Sequence, residues 1–133
     1  MKVVLDTNVL VSGIFFGGIP GKVVDAWLNE RFIAYITPFI YQEYLRTIDE
    51  IRLKIRPLIN RDWPVLLPEL CPMIPDERRP KRISRDRSDD KFVFCAMNAG
   101  ANFLVTGDKD LKSLERNFGF KIVSPREFLR FSK

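Results

Sequence analysis

The chain opens on Lys2-Val3-Val4-Leu5, a short apolar and mostly β-branched run that stops at Asp6-Thr7-Asn8. That is the pattern of a buried parallel strand and its exit loop. Val9 to Phe16 stays apolar until Gly17-Gly18-Ile19-Pro20-Gly21 breaks the run. Val23, Val24, Trp27 and Leu28 then share one face of a helix expected from about Lys22 to Asn29. Phe32 to Ile36 reads as a second buried strand, and Thr37-Pro38 as an N-cap with proline at the first helical position. The helix so started carries Glu43 and Leu45. From about Thr47 to Leu58 a second basic stretch has Ile48, Ile51, Ile55 and Leu58 at helical spacing. Five prolines between Pro57 and Pro75 cut the middle of the chain into short pieces, which Trp63 and Leu66-Leu67 still equip to pack.

Beyond a basic loop, a helix is expected from about Asp89 to Ala99, with Gly100 as its C-terminal stop. Phe103-Leu104-Val105 is a third strand that leaves through Thr106-Gly107-Asp108. A short helix near Leu111 to Asn117 leads to a fourth strand, Lys121-Ile122-Val123. Ser124-Pro125-Arg126-Glu127 is a capping box opening a last helix. Strands alternating with helices imply an α/β fold: a three-layer α/β/α sandwich around a central, mainly parallel sheet. The 133 residues suit one domain spanning 1–133. In such a sheet, ligands bind at the carboxyl ends of the strands.

Composition narrows the chemistry more than it narrows the fold. With 46% hydrophobic and 29% charged residues, the chain is of ordinary globular type. It contains no histidine, which removes Ser-His-Asp and Cys-His nucleophile systems, the common zinc sites and any imidazole base. Carboxylates, with or without a hard metal ion, are left to do catalysis. Cys71 and Cys95 form no CxxC pair and read as reduced, partly buried thiols. Asp6 and Asn8 interrupt the N-terminal apolar run before a signal-peptide core can form, and no apolar stretch approaches the length of a membrane span. The expectation is a soluble, cytoplasmic protein with no membrane partner.

The acids fall where the fold would gather them. Asp6 ends the first strand, Glu43 lies about two turns into the helix after the second, Asp89 opens the helix before the third, and Asp108 follows the third. Four carboxylates at one sheet edge repel each other, and burial would push some of their pKa values up. A divalent cation with oxygen ligands, Mg²⁺ or Mn²⁺, resolves the conflict and can activate water against a phosphodiester. The net charge of +5, larger still once four site acids are set aside, fits a nucleic-acid backbone as substrate. Arg78, Arg79, Lys81, Arg82 and Arg85 belong to a run with six basic residues in ten, which reads equally as a solvated loop or as an RNA contact. Bland alternatives stand beside each acid. Asp6 and Asn8 also suit a polar turn, Thr106-Gly107-Asp108 an ordinary turn, and Glu43 alone a solvated helix position; Asp86 reads as a helix N-cap.

Asp6-Thr7-Asn8-Val9-Leu10, Glu43 in its helix, Arg85 to Phe92, and Val105 to Leu111 together resemble the motifs of PIN domains, in order and spacing. The likeness runs from Met1 to about Phe128, and is to the prokaryotic branch of VapC-like ribonucleases, toxins of toxin–antitoxin pairs. It implies a metal-dependent endoribonuclease using Mg²⁺ or Mn²⁺. Asp6, Glu43, Asp89 and Asp108 would be catalytic and metal-binding, with Asn8 and Thr106 as polar supports. RNA, a cognate antitoxin and a homodimer are its implied partners. Relatives reading Asp-Pro-Asp-Asp-Asn-Lys put Asp89 on the acid position and Asp90 on the asparagine, although the two could exchange roles, and Asp110 could compete with Asp108. An aspartyl-phosphate enzyme is a poor alternative, since Asn8 and Leu10 stand where it needs aspartate and threonine. A PIN-type scaffold that binds RNA or protein without cleaving is the other.

Overall fold

Four short strands, β1 (Lys2–Leu5), β2 (Ile33–Ala34), β3 (Phe103–Val105) and β4 (Lys121–Val123), pair in parallel in the order β2-β1-β3-β4. The computed structural model describes residues 1–77, 89–114 and 118–132. The basic run, with Arg78, Arg79, Lys81, Arg82 and Arg85, and the Asp86 cap lie outside the described residues, as do residues 115–117 of the helix expected near Leu111.

Chain order against sheet order fixes the layers. The chain steps outward from β1 to β2, returns across the sheet to β3, and continues to β4. Right-handed crossovers therefore put the β1–β2 connection on one face and the β2–β3 and β3–β4 connections on the other. On one face α5 (Asp90–Ala99) packs on β1 and β3; on the other α7 (Pro125–Phe131) packs on β3, β4 and α2 (Gly18–Leu28). Phe128 of α7 is fully buried, edge-on to Phe32 and Phe103 at ring separations of 5.1 and 5.7 Å. The Ser124 capping box holds α7, with Ser124 Oγ accepting from Glu127 N and Glu127 Oε1 from Ser124 N, both at 3.1 Å. Beyond β2 in the chain, α3 (Pro38–Arg52) packs on α1 (Thr7–Phe15), α5 and α4 (Trp63–Leu70). Tyr41 Oη donates to Pro64 O at 2.7 Å, and Trp63 stacks on Trp27.

Several elements depart from the sequence pattern for identifiable reasons. No exit loop follows β1. The Asp6 carbonyl accepts from Val9 N and Leu10 N, so α1 (Thr7–Phe15) starts directly off the strand. Because α1 is buried nearly all round, it shows no polar stripe to betray a helix. The Gly17–Gly21 break is shorter than expected, and α2 begins at Gly18 rather than Lys22. Only Gly17 and Gly18 take positive φ, and Pro20 is tolerated in a first turn. The stretch from Thr47 is helical over only its first half. It continues α3 to Arg52, with Ile48 buried and Leu53 and Leu58 exposed. β2 is two residues long, although Ile36 makes a parallel bridge to Met73 beyond it. α6 (Lys109–Lys112) starts earlier than Leu111 because Asp108 caps it. Among the described residues, no single helix is long and apolar enough to cross a membrane.

α1 and α2 meet so closely that a Cβ on Gly13 would lie 2.4 Å from Val24 Cγ2 and 2.6 Å from the Pro20 carbonyl oxygen. The second clash is with backbone and cannot be relieved by a rotamer change. Gly13→Ala is expected to destabilise the protein by about 1–3 kcal/mol, the cost of overpacking, read from urea denaturation. Ser124→Ala should cost about 1 kcal/mol through loss of the cap, with the denaturant slope unchanged.

Candidate active site

The sheet changes direction between β1 and β3, whose onward connections leave to opposite sides. Such a switch point leaves a crevice at the carboxyl ends of the two strands, where open α/β sheets bind ligands. Asp6 follows β1 and Thr106 follows β3, one step beyond the paired Leu5 and Val105. Asp6 N donates to Val105 O at 3.0 Å, continuing the ladder to the acid itself. Thr106 Oγ1 donates to Asp6 Oδ2 at 2.6 Å and accepts from Asp108 N at 3.0 Å. One buried hydroxyl thus ties the first acid to the segment carrying another. Asp108 Oδ1 in turn accepts from Asp110 N at 2.7 Å, which separates the two aspartates: Asp108 caps α6 and Asp110 lies within it.

Burial raises the Asp6 pKa above its usual value of 3.8. The Thr106 hydroxyl and the Asn8 N–H favour the charged form, while the Asp108 and Glu43 carboxylates push further upward. Asp6, Glu43 and Asp108 are thereby gathered within electrostatic reach of one another. Tyr44, one residue beyond Glu43, anchors this part of α3 by donating its hydroxyl to Leu5 O. Thr7 Oγ1 donates to Glu43 Oε2, and Lys91 Nζ pairs with Glu43 Oε1 at 2.7 Å.

Asn8 is exposed on the first turn of α1, whereas Thr106 is buried against Asp6. Asp89 is half-buried just before α5, and Asp90 is the buried first residue of that helix. A cleft of about 320 Å³ between α3, α5 and residues 75–77 is lined by Glu43, Asp90 and Lys91, and not by Asp89, Asp6 or Asp108. It opens beside the switch point rather than over it. Thr7, Lys91 and Tyr44 were not singled out as functional residues by sequence reasoning. Thr7 and Lys91 sit inside the quoted motifs, next to the acids they serve, and that adjacency was the available signal.

The donor set is all oxygen and partly buried, which suits a hard divalent cation. Among the described residues, however, no three acidic side chains are arranged to grip one ion. The Lys91 ammonium stands beside Glu43 in this arrangement, so a cation drawing on Glu43 would have to compete with it.

The chain matches the PIN domain family over residues 2–110. It belongs to that family. PIN domains are generally metal-dependent nucleases, and the donor chemistry at the switch point agrees with that general activity. The chain is 31% identical to the uncharacterized protein MJ1680 of Methanocaldococcus jannaschii, over 97% of its own length and 90% of the relative's. The crystal structure of PAE2754 from Pyrobaculum aerophilum superposes with a TM-score of 0.54 at 16% identity, covering 98% of this chain and 88% of that one. That likeness is one of fold, and it agrees with the α/β sandwich.

A buried carboxylate with a raised pKa weakens the fold when ionised. The folded state then holds its proton to higher pH than the unfolded chain does, so stability falls as pH rises through the raised value. Asp6→Asn removes this cost while keeping an acceptor for Thr106. In metal-free buffer the variant is expected to melt above wild type at neutral pH. The gap should close as the pH is lowered toward 3.8, as thermal melts across pH will show.

Proposed function

We propose that the protein is a metal-dependent endoribonuclease that hydrolyses RNA phosphodiester bonds, with Mg²⁺ or Mn²⁺ as cofactor. The observation that carries this reading is the gathering of Asp6, Glu43 and Asp108 at the switch point, with Asp6 buried against its own electrostatic interest. Stabilising proteins normally avoid such an arrangement, and active sites tolerate it. In this reading Asp6, Glu43 and Asp108 hold the cation. Asp90 takes the fourth place in preference to Asp89, because Asp90 is buried and lines the same cleft as Glu43.

A divalent cation bound there would lower the pKa of a water and stabilise charge on a phosphoryl oxygen. The chain's own contributions are positional. Thr106 holds the Asp6 carboxylate at 2.6 Å, Thr7 holds Glu43, and Asp110 N holds Asp108 Oδ1 at 2.7 Å. Lys91 balances the Glu43 charge at 2.7 Å. That same pair favours the second reading, a PIN-type scaffold that binds RNA or protein without cutting it. The toxin role, with a cognate antitoxin and a homodimer, follows from the VapC-like resemblance and is part of the proposal.

The test is cleavage of labelled single-stranded RNA with Mg²⁺, Mn²⁺ or EDTA. Wild type is expected to cut only with metal, and Asp6→Asn or Asp108→Asn to lose at least about 10²-fold in rate, the scale on which one preorganised electrostatic group acts. Asp90→Asn should fall with them and Asp89→Asn should not. Cutting that survives EDTA or Asp6→Asn would refute the assignment.

A further inference from the structure

The cleft between α3 and α5 has a composition that the candidate metal site does not require. Phe39, exposed at the start of α3, and Phe94 on α5 supply aromatic surface, and Gln42 and Asn98 supply amides that both donate and accept. Asn98 Nδ2 donates to Glu77 Oε2 at 2.9 Å, and Phe39 N donates to Asp76 Oδ2 at 3.1 Å, so residues 76–77 are tied to both helices. Among the described residues, the carboxylates of Glu43, Asp76, Glu77 and Asp90 line the cleft together with the cations Arg46 and Lys91. Lys91 already faces Glu43. Glu77, which the metal site does not use, sets a carboxylate beside the Gln42 and Asn98 amides and suits a group that presents N–H donors. The volume, about 320 Å³, is near the lower end of small-ligand pockets, roughly 300–1,000 Å³. It admits a single planar group and excludes a duplex.

We infer that this cleft is a nucleobase subsite for single-stranded RNA, which seats a guanine flanking the scissile linkage. Guanine offers adjacent N1–H and N2–H donors, which one carboxylate accepts together, whereas uracil offers one N–H between two carbonyls. An aromatic face stacks any base and does not choose among them, so the choice falls to Glu77 with Asn98 and Gln42. Glu43 borders both the cleft and the carboxylates at the switch point. A base seated in the cleft therefore leaves its own backbone beside them. This subsite rests on the ribonuclease reading for its role, and its binding can be measured without activity.

The test is equilibrium binding, in EDTA, of labelled oligouridylates carrying one guanosine at a chosen position. Guanosine is expected to tighten binding about tenfold, the scale of one bidentate base contact. Glu77→Gln and Asn98→Ala, both at exposed positions, should each erase most of that gain while melting like wild type. Equal affinity for the guanosine-containing and all-uridine strands would overturn the subsite, and so would a gain that survives both substitutions. Saturable binding of arginine amide with no base preference would overturn it in favour of a basic protein segment. Guanosine selection in EDTA without any metal-dependent cutting would support the subsite and count against the nuclease reading alone. Cutting without base selection would do the reverse.

Discussion

The Thr106 hydroxyl bonded to the Asp6 carboxylate at 2.6 Å is the contact on which the rest of the site depends. It sits one residue past the paired ends of the two central strands, and it joins segments 100 residues apart in sequence. Around it the backbone is fully committed. Asp6 N completes the ladder to Val105 O, the Asp6 carbonyl starts α1, and Thr106 N pairs with Val123 O of β4. The Asp6 backbone therefore cannot move without undoing the centre of the sheet, and the Thr106 hydroxyl holds the carboxylate in place upon it.

That rigidity holds an electrostatic conflict in place. Burial disfavours the charged form of Asp6, and two further carboxylates add to the repulsion. Among the described residues, two contacts balance part of it. Lys91 meets Glu43, while Asp108 is engaged by the amide of Asp110. The two buried thiols take no part in this balance; burial pushes both Cys71 and Cys95 up to about 12, which leaves them neutral and unreactive at ordinary pH. A divalent cation is the most direct remedy for the remaining repulsion, which connects the fold to the metal-dependent chemistry general in its family.

Much of this was legible in the sequence because the elements that carry it obey local rules. β1, β3 and β4 have the bounds their apolar runs announce. Thr37 accepts from Ile40 N as an N-cap should, and Gly100 ends α5 at φ 64. The exit of β1 was misread as a loop because α1 opens on polar Thr7-Asn8 and is buried on nearly every side, so periodicity has little to grip. The length of α3 was misread because its apolar spacing continues past Arg52 into residues that the fold leaves exposed. The gathering of Asp6 with Asp108 followed from topology alone. The relation of Asp89 to Asp90 did not, since adjacent residues at a helix start differ in burial only once the helix has a partner. Lys91 could not be weighed either, because pairing across α3 and α5 is a tertiary fact.

Mn²⁺ titration followed by electron paramagnetic resonance reports whether the gathered carboxylates share one cation. Wild type should bind Mn²⁺ saturably, and Asp6→Asn and Asp108→Asn should each weaken that binding strongly while remaining folded. Equal Mn²⁺ binding by wild type and both variants, or none by wild type, would mean that these carboxylates do not share a cation.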